Sequence, residues 1–410
     1  MAKVFTNKLL VAIDIGTTKI CVLVANQLDD HNLEVLGIGK SPSHGLAKGV
    51  VVDIAKTINS ISTAVKEAEL MSGHTIESAS IGIAGAHISS KNSSGAVPLK
   101  SGQVKSQDVV NVLEAAKAIP LADGQKILHV LPRYFVIDGG DKIQDPIGMH
   151  GVRLEVQAHI ITGSVASVQN LITCTERAGV KIEDVVLEQL ASARSVLSHD
   201  ERELGVGVLD IGGGTSDLAI YKNGNIAHTM VLPVAGKHFT NDIAVGLRAT
   251  LQDAEKIKQS YGCCYKSLLQ EDEKIEVELV QGQEVRMINK SELAAIVQPR
   301  AEELLQLIKQ EIVLHNLQAL MRSGLVITGG GSLLGGMKEL AESIFKMPVR
   351  IGSPRMQFGI SEALESPIYA TSYGLLLHIL KNRKGTLKDV SGPFVKQIFS
   401  RMKSWIGDFF

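Results

Sequence analysis

Apolar positions follow two rhythms along this chain, and their alternation divides it into units. Short β-branched runs bounded by Gly, Asp, Asn or Pro predict buried strands, whereas apolar residues three and four apart predict helices. Leu10–Ile15 and Ile20–Ala25 form a pair of strands around Gly16, Leu33–Gly39 is a third strand, and Ile54–Met71 is helical. The same succession returns later. Gly205–Ile211 and Leu218–Tyr221 flank a glycine turn, Gly224–Leu232 is a third strand, and a helix starts at Phe239 after Gly236. Two similar supersecondary units imply two similar half-domains.

Between the repeats the pattern changes. Ser78–Ala84 is a strand, and the stretch Ser89–Gly102 that follows is rich in Ser, Gly and Lys. A short helix is expected over Asp108–Ala118, capped by Ser106 or Asp108, then strands over Lys126–Ile137 and Leu154–Thr162. This reads as an inserted small α+β module with Asp141–Glu155 as its connecting loop. Val165–Ala178 resumes a helix, and the strand Ile182–Leu187 runs into a helix through Leu197. In the second half, helices are expected over Asp253–Gly262 and Ser291–Leu320, with a hairpin, Ile275–Val280 and Glu284–Ile288, between them. Leu325–Thr328 is a strand leading to Gly329–Ser332 and a helix over Leu333–Phe345.

The two hairpins carry the chemistry. Each sets an acid at the end of an apolar strand and small residues in the turn: Asp14, Gly16, Thr17, Thr18 and Lys19 in the first, Asp210, Gly212, Gly213, Gly214 and Thr215 in the second. Glycines let successive backbone N–H groups converge on an anion, and the two acids are candidates to hold Mg²⁺ through water. One such turn alone equally describes an ordinary tight hairpin; the repeat favours a nucleotide triphosphate gripped from both sides. The turn Gly329, Gly330, Gly331 and Ser332 between a strand and a helix suits close approach to a nucleoside. Glu188 sits at a strand-to-helix junction, where it either orients a water or serves as an acid favoured by the helix dipole. Glu255 and Lys258 are one turn apart on a helix, ordinarily the mark of a solvated ion pair.

Composition excludes more than it identifies. With 45% apolar and 21% charged residues the 410-residue chain reads as globular, and a net charge of −1 gives no footprint for nucleic acid. Cys21, Cys174, Cys263 and Cys264 match no metal-binding spacing and read as reduced thiols. The polar start, Met1–Lys8, and the early interruption by Asp14 predict neither a signal peptide nor a spanning helix. Lys381–Pro393 reads as a linker. Beyond it Phe394, Ile398, Phe399, Met402, Trp405, Ile406, Phe409 and Phe410 recur at helical spacing, with Lys396, Arg401 and Lys403 elsewhere on the wheel. That stripe either lies on an anionic membrane surface or packs into a groove on the protein itself.

DIGTTK, DIGGGTSD and ITGGGSLL, in this order, resemble the two phosphate loops and the adenosine loop of the actin, heat-shock chaperone and sugar kinase superfamily. Within it the whole chain is similar to the bacterial cell-division family FtsA, through the segment from ILHVLPRYFVIDG to GVRLE and the tethered terminal helix. The resemblance implies an α/β, actin-like (ribonuclease H-like) fold of duplicated domains around a nucleotide cleft. Domain I would comprise residues 1–84 and 164–204 with an inserted subdomain at 85–163. Domain II would be 205–380, with a partner-binding subdomain at about 245–323, then linker 381–393 and membrane helix 394–410. It implies ATP and Mg²⁺ as ligands, with Glu255 and Lys258 beside the adenosine and Glu188 orienting the attacking water. Gln189 stands where a Pro often follows that Glu, which points to weak turnover. It further implies filaments of the chain on the cytoplasmic face of the inner membrane at the division site. The acidic C-terminal peptide of FtsZ would be anchored by Arg300, and later division proteins would dock on the insert. A pilus-assembly relative or a small-molecule kinase of the same fold is the alternative.

Overall fold

The computed structural model describes residues 9–30, 32–269, 273–278, 285–355 and 364–384. The first half opens with three antiparallel strands, β1 (Leu10–Ile15), β2 (Lys19–Gln27) and β3 (Leu33–Pro42), followed by a small hairpin of β4 (Leu46–Ala47) and β5 (Val50–Val51). Helix α1 (Ile54–Ser72) starts where the Asp53 side chain accepts the Lys56 N–H and stops at Gly73, whose φ of 71° is left-handed. Strand β6 (Ser78–Ile83) then joins β1 in parallel.

The insert follows: β7 (Ser89–Pro98), α2 (Ser106–Ala116), β8 (Gln125–Ile137) and β9 (Arg153–Ser164). Its three strands are antiparallel in the order β7-β9-β8, and α2 packs Val109, Val112 and Leu113 onto Leu154, Val156 and Ile160. The Ser- and Lys-rich stretch is therefore a full strand, β7. It is polar because it is an edge whose side chains are mostly solvated. The chain returns through α3 (Val165–Arg177) to β10 (Lys181–Leu187), completing a first sheet ordered β10-β6-β1-β2-β3. Helices α4 (Glu188–Val196) and α5 (His199–Leu204) lead to the second half.

That half repeats the plan. Strands β11 (Val206–Ile211), β12 (Ser216–Lys222) and β13 (Asn225–Leu232) are antiparallel, and α6 (Gly236–Leu247) and α7 (Leu251–Tyr261) follow. The hairpin β14 (Lys274–Glu278) and β15 (Val285–Asn289) precedes α8 (Lys290–Leu314), which runs through Pro299 and ends before a 3₁₀ turn at Gln318–Leu320. Then β16 (Leu325–Thr328), α9 (Met337–Phe345), β17 (Val349–Ile351) and α10 (Ala370–Lys384) complete the described chain. The second sheet is ordered β13-β12-β11-β16-β17, so in both sheets the first three strands are antiparallel and the last two run parallel to the first. Central strands β1 and β11 are buried along their whole length, which is why they read as unbroken apolar runs.

Helix α10 was not anticipated, and it extends to Lys384, into the expected linker. It departs from the expected grouping in packing too. Although it follows the second sheet in sequence, its Tyr373, Leu375, Leu376 and Ile379 pack on Leu10, Ala12 and Leu23 of the first sheet. Helix α4 does the reverse, placing Ala193, Val196 and Leu197 against Val206, Val208 and Ala219 of the second. The two exchanged helices cross where a Cβ on Gly374 would stand 1.9 Å from the Ala191 carbonyl oxygen. Because that neighbour is backbone, the contact cannot relax by a side-chain rotation. Gly374→Ala is therefore expected to cost about 1–3 kcal/mol, read as a lower denaturation midpoint in urea. An unchanged midpoint would mean that the helices cross less closely than described.

Candidate functional site

The two hairpin turns face each other and interlock by size. A Cβ on Gly213 would lie 2.3 Å from Thr18 Cγ2, and one on Gly214 would lie 2.3 Å from Thr17 Oγ1. Threonines on one tip thus fit against glycines on the other, a complementarity that the DIGTTK and DIGGGT turns encode between them. Helix α6 starts against the second tip, its Gly236 and Lys237 N–H groups donating to the Gly212 and Gly213 carbonyls at 3.0 and 2.8 Å. Lys237 Nζ reaches across to donate to the Thr17 carbonyl at 3.1 Å.

Behind the tips lie four carboxyl groups. Asp210 pairs with Asp217 across the second hairpin, and Asp14 with Cys21 across the first. Asp210 Oδ2 accepts hydrogen bonds from Ser192 Oγ at 2.5 Å and Thr371 Oγ1 at 3.1 Å, from the two exchanged helices. Asp217 accepts from Gln189 Nε2 at 2.8 Å and Thr215 Oγ1 at 2.9 Å. Glu188 opens α4 and packs against Gly82 of β6. Burial, opposed by Lys19 and reinforced by Asp210, pushes Asp14 up to about 6. Burial and Asp210 push Asp217 up to about 8. Burial also raises Asp210, against the hydrogen bonds it accepts, while burial together with Asp14, Asp217 and Asp210 holds Glu188 well above its ordinary value. Dehydrated acids in one another's field are the donor chemistry of a hard divalent cation. Among the described residues no three of them bring ligand atoms within 4.8 Å of one another.

The remaining candidates take up distinct positions. Gly329 has a φ of 79° and no room for a side chain, since a Cβ there would meet Asp210 Oδ1 at 2.2 Å. Gly330–Leu333 form a 3₁₀ turn and Ser332 Oγ donates to the Gly329 carbonyl at 2.7 Å. The helix expected from Leu333 begins only at Met337, because Leu334 is extended and Gly336 is left-handed. Glu255 and Lys258 are bonded at 2.7 Å, and Lys258 also donates to Thr240 Oγ1 and the Gly236 carbonyl at 2.9 and 3.2 Å. They brace the start of α6 just behind the second tip. Lys19 Nζ donates to the Ile368 carbonyl at 3.0 Å and lies over the Tyr369 ring.

Arg300 stands elsewhere, on α8. Its guanidinium takes both Asp242 oxygens, at 2.7 and 3.1 Å, and also meets Glu303, so it ties α8 to α6 and is engaged by carboxylates of the chain itself. The stripe from Phe394 to Phe410 lies outside the described residues. Asp217, Ser192, Thr371 and Lys237 escaped the sequence reading. Asp217 stands in the DIGGGTSD segment directly across the hairpin from Asp210, a register that the strand pair would have given; the other three come from distant segments, with no local signal.

The raised acids have a consequence for stability. A folded-state value above the unfolded one favours the native state fully below the unfolded pKa, near 4 for an Asp, and that contribution is lost as pH rises through the folded value. For Asp217 the window runs up to about 8. Without metal or nucleotide, the unfolding free energy of the wild type should therefore fall between about pH 5 and pH 8.5 more steeply than that of Asp217→Asn. Urea titrations at the two pH values check this; equal slopes would show that Asp217 titrates normally.

Known proteins resemble this chain over its whole length. A family profile described as "Cell division protein FtsA" matches residues 207–374, and one described as "SHS2 domain inserted in FTSA" matches residues 85–162. The cell division protein FtsA of Pseudomonas aeruginosa is 44% identical over 413 residues, covering 99% of each chain. That of Escherichia coli K12 is 37% identical over 417 residues, covering 99% of this chain and 97% of the relative. Among solved structures, a PilM–PilN type IV pilus biogenesis complex aligns with a TM-score of 0.66 at 18% identity, over 90% of this chain and 98% of that one. MreB5 of Spiroplasma citri bound to ADP aligns with a TM-score of 0.56 at 16% identity, over 92% and 98%. These likenesses show an actin-like fold, and the sequence identities show more: the chain belongs to the FtsA family of cell division proteins.

Proposed function

We propose that the chain is a nucleotide-gated adaptor of the division apparatus, binding ATP–Mg²⁺ between its two halves and tying the FtsZ ring to the inner membrane. The observation that carries this reading is the pair of opposed hairpin tips backed by four dehydrated carboxyl groups. In this reading the backbone N–H groups around Gly16, Thr17 and Thr18 and around Gly212–Thr215 take the phosphates, and Lys19 turns in from Ile368. Asp14 and Asp210 hold Mg²⁺ through water. The ion supplies positive charge that the triphosphate and the carboxylates both lack. The turn from Gly329 to Ser332 lies under the nucleoside, with Glu255 and Lys258 beside it. Since the tips touch, phosphates between them require the tips to part, which turns binding into a movement of one half against the other. Glu188 positions a water, and binding dominates over turnover.

Asp210→Ala removes a metal-facing charge and should weaken ATP–Mg²⁺ binding roughly 10- to 100-fold, the equivalent of a charged hydrogen bond. Glu188→Ala should bind as the parent does and lose what hydrolysis the parent has. Calorimetry and phosphate release measure the two; full affinity in Asp210→Ala would overturn the cleft assignment.

On the membrane, the stripe Phe394, Ile398, Phe399, Met402, Trp405, Ile406, Phe409 and Phe410 lies flat, aided by Lys396, Arg401 and Lys403 near anionic lipid. One such helix holds weakly and reversibly; a filament of many copies, with the insert contributing to its contacts, holds firmly. The described residues contain no helix long and apolar enough to cross a membrane. The FtsZ peptide docks on the subdomain around α8, beside the cleft lined by Lys266, Gln298, Pro299 and Glu302, where Arg300 exchanges Asp242 for a carboxylate of the peptide.

A single reconstitution tests these parts. With anionic vesicles and ATP, the wild type should pellet with its Trp405 emission shifted to the blue, show ordered rows by electron microscopy and carry down a labelled FtsZ C-terminal peptide. Trp405→Glu should bind lipid about 10- to 100-fold less tightly, the loss of one large buried side chain. Wild type that stays in the supernatant would remove the tether and the adaptor reading with it.

A further inference from the structure

Away from the cleft, at the seam where the insert meets the second half, two histidines and a glutamate converge. His228 projects from β13, Glu311 lies in the last turn of α8, and His315, four residues on, is the residue that follows its end. His228 Nε2 is 2.8 Å from Glu311 Oε1 and His315 Nε2 is 3.2 Å from the same oxygen. All three ligand atoms lie within 4.8 Å of one another, the one such group among the described residues. The His228 and His315 rings are 4.9 Å apart, centre to centre.

We propose that His228, Glu311 and His315 bind a divalent first-row transition metal, of which Zn²⁺ is the probe. Two imidazoles and one carboxylate suit such an ion and would suit Mg²⁺ or Ca²⁺ poorly, which take oxygen donors. A metal at about 2.0–2.2 Å from each ligand sets neighbouring donors roughly 3–4 Å apart, and two of the three separations are already close to that. The ion takes the place of the Nε2 hydrogens, each ring then carrying its hydrogen on Nδ1. Solvent reaches the site past His315, whose side chain is 48% exposed, so a water fills the fourth position. Access from inside is closed: His228 is almost fully buried, and His159, whose ring lies 6.3 Å from that of His228, is turned to Thr229 Oγ1 at 2.8 Å and to Asn92 Oδ1 at 2.8 Å. Arg133 of β8 places a positive charge in range of His228, which weakens the site, and the Glu311 carboxylate offsets it.

The location gives the metal a structural effect. Residues around His228 already join the modules, Ser90 Oγ donating to the Thr229 carbonyl at 2.9 Å and Asn225 Nδ2 to the Arg133 carbonyl at 3.2 Å. An ion held by β13 and α8 fastens the end of that helix onto the seam, independently of nucleotide.

The test is calorimetric titration of ZnCl₂ into the full, nucleotide-free chain, beside His315→Ala and Glu311→Gln. The wild type should take up one Zn²⁺ in a step that His315→Ala weakens at least about 10-fold, the loss that even an outer-shell partner brings. Because His315 is half exposed, its removal leaves the fold intact, and zinc should raise the thermal midpoint of the wild type but not of this variant. Co²⁺ at the same site should give visible d–d absorption without a sulfur charge-transfer band, separating it from the four buried thiols. Absence of stoichiometric uptake would leave a hydrogen-bonded trio only and overturn the proposal. Equal affinity in wild type, His315→Ala and Glu311→Gln would place the zinc elsewhere and overturn it too.

Discussion

The burial of four carboxyl groups in one place is the constraint that the rest of this structure answers. Asp14, Asp210 and Asp217 are buried and Glu188 partly so; Asp210 adds to the effect of burial on Asp14 and Asp217, and all three aspartates act on Glu188. The hydrogen-bond compensation falls on Asp210 and Asp217. Ser192, Thr371, Gln189 and Thr215 spend their hydrogen bonds on these acids. The duplicated sheets deliver one acid each at the end of a central strand, so the concentration of charge is a product of the architecture. A positive ligand entering there relieves a strain already present, and a ligand that is both cationic and multiply anionic, as a magnesium nucleotide is, satisfies the acids and the turn amides together.

The parts of this arrangement that were legible in the sequence are those with a local signature. The strands β1 and β11, the glycine turns and the repeat that relates them announce themselves in a dozen residues each, because periodicity and turn chemistry are properties of neighbours along the chain. Helix α10 was missed because it is buried on nearly every side from Ala370 to Leu380, with Thr371, Ser372 and His378 among its apolar residues, and so lacks an amphipathic stripe. Strand β7 was missed for the opposite reason, its solvated edge leaving few apolar side chains to count. Arg300 carries no local sign of a partner within the chain, and only the tertiary structure brings Asp242 to it from α6. Gln189 is the instructive case. As a departure from the family's pattern it pointed to weaker turnover, yet its side chain is nearly fully buried and donates to Asp217, so the residue also fixes the geometry of the second hairpin.

Lys258 shows how far a pair's meaning depends on burial. The same spacing that stabilises a solvated helix by a few tenths of a kcal/mol here serves to brace the start of α6, because Thr240 and the Gly236 carbonyl share the ammonium. The interlock of Thr17 and Thr18 with Gly214 and Gly213 is of the same kind: the fit of each turn's side chains shows only when the other turn is set against it.

The exchange of α4 and α10 between the halves bears on how the chain comes to be folded at all. Residues from Leu10 to Leu187 build the first sheet, but one face of it stays uncovered until Tyr369 to Leu380 have left the ribosome, some two hundred residues later. Vectorial synthesis therefore cannot complete the first half on its own; a growing chain carries an exposed apolar face through nearly half of translation. The segment beyond Lys384 emerges only as that face closes, so the apolar stripe from Phe394 to Phe410 and the finished core become available at nearly the same moment.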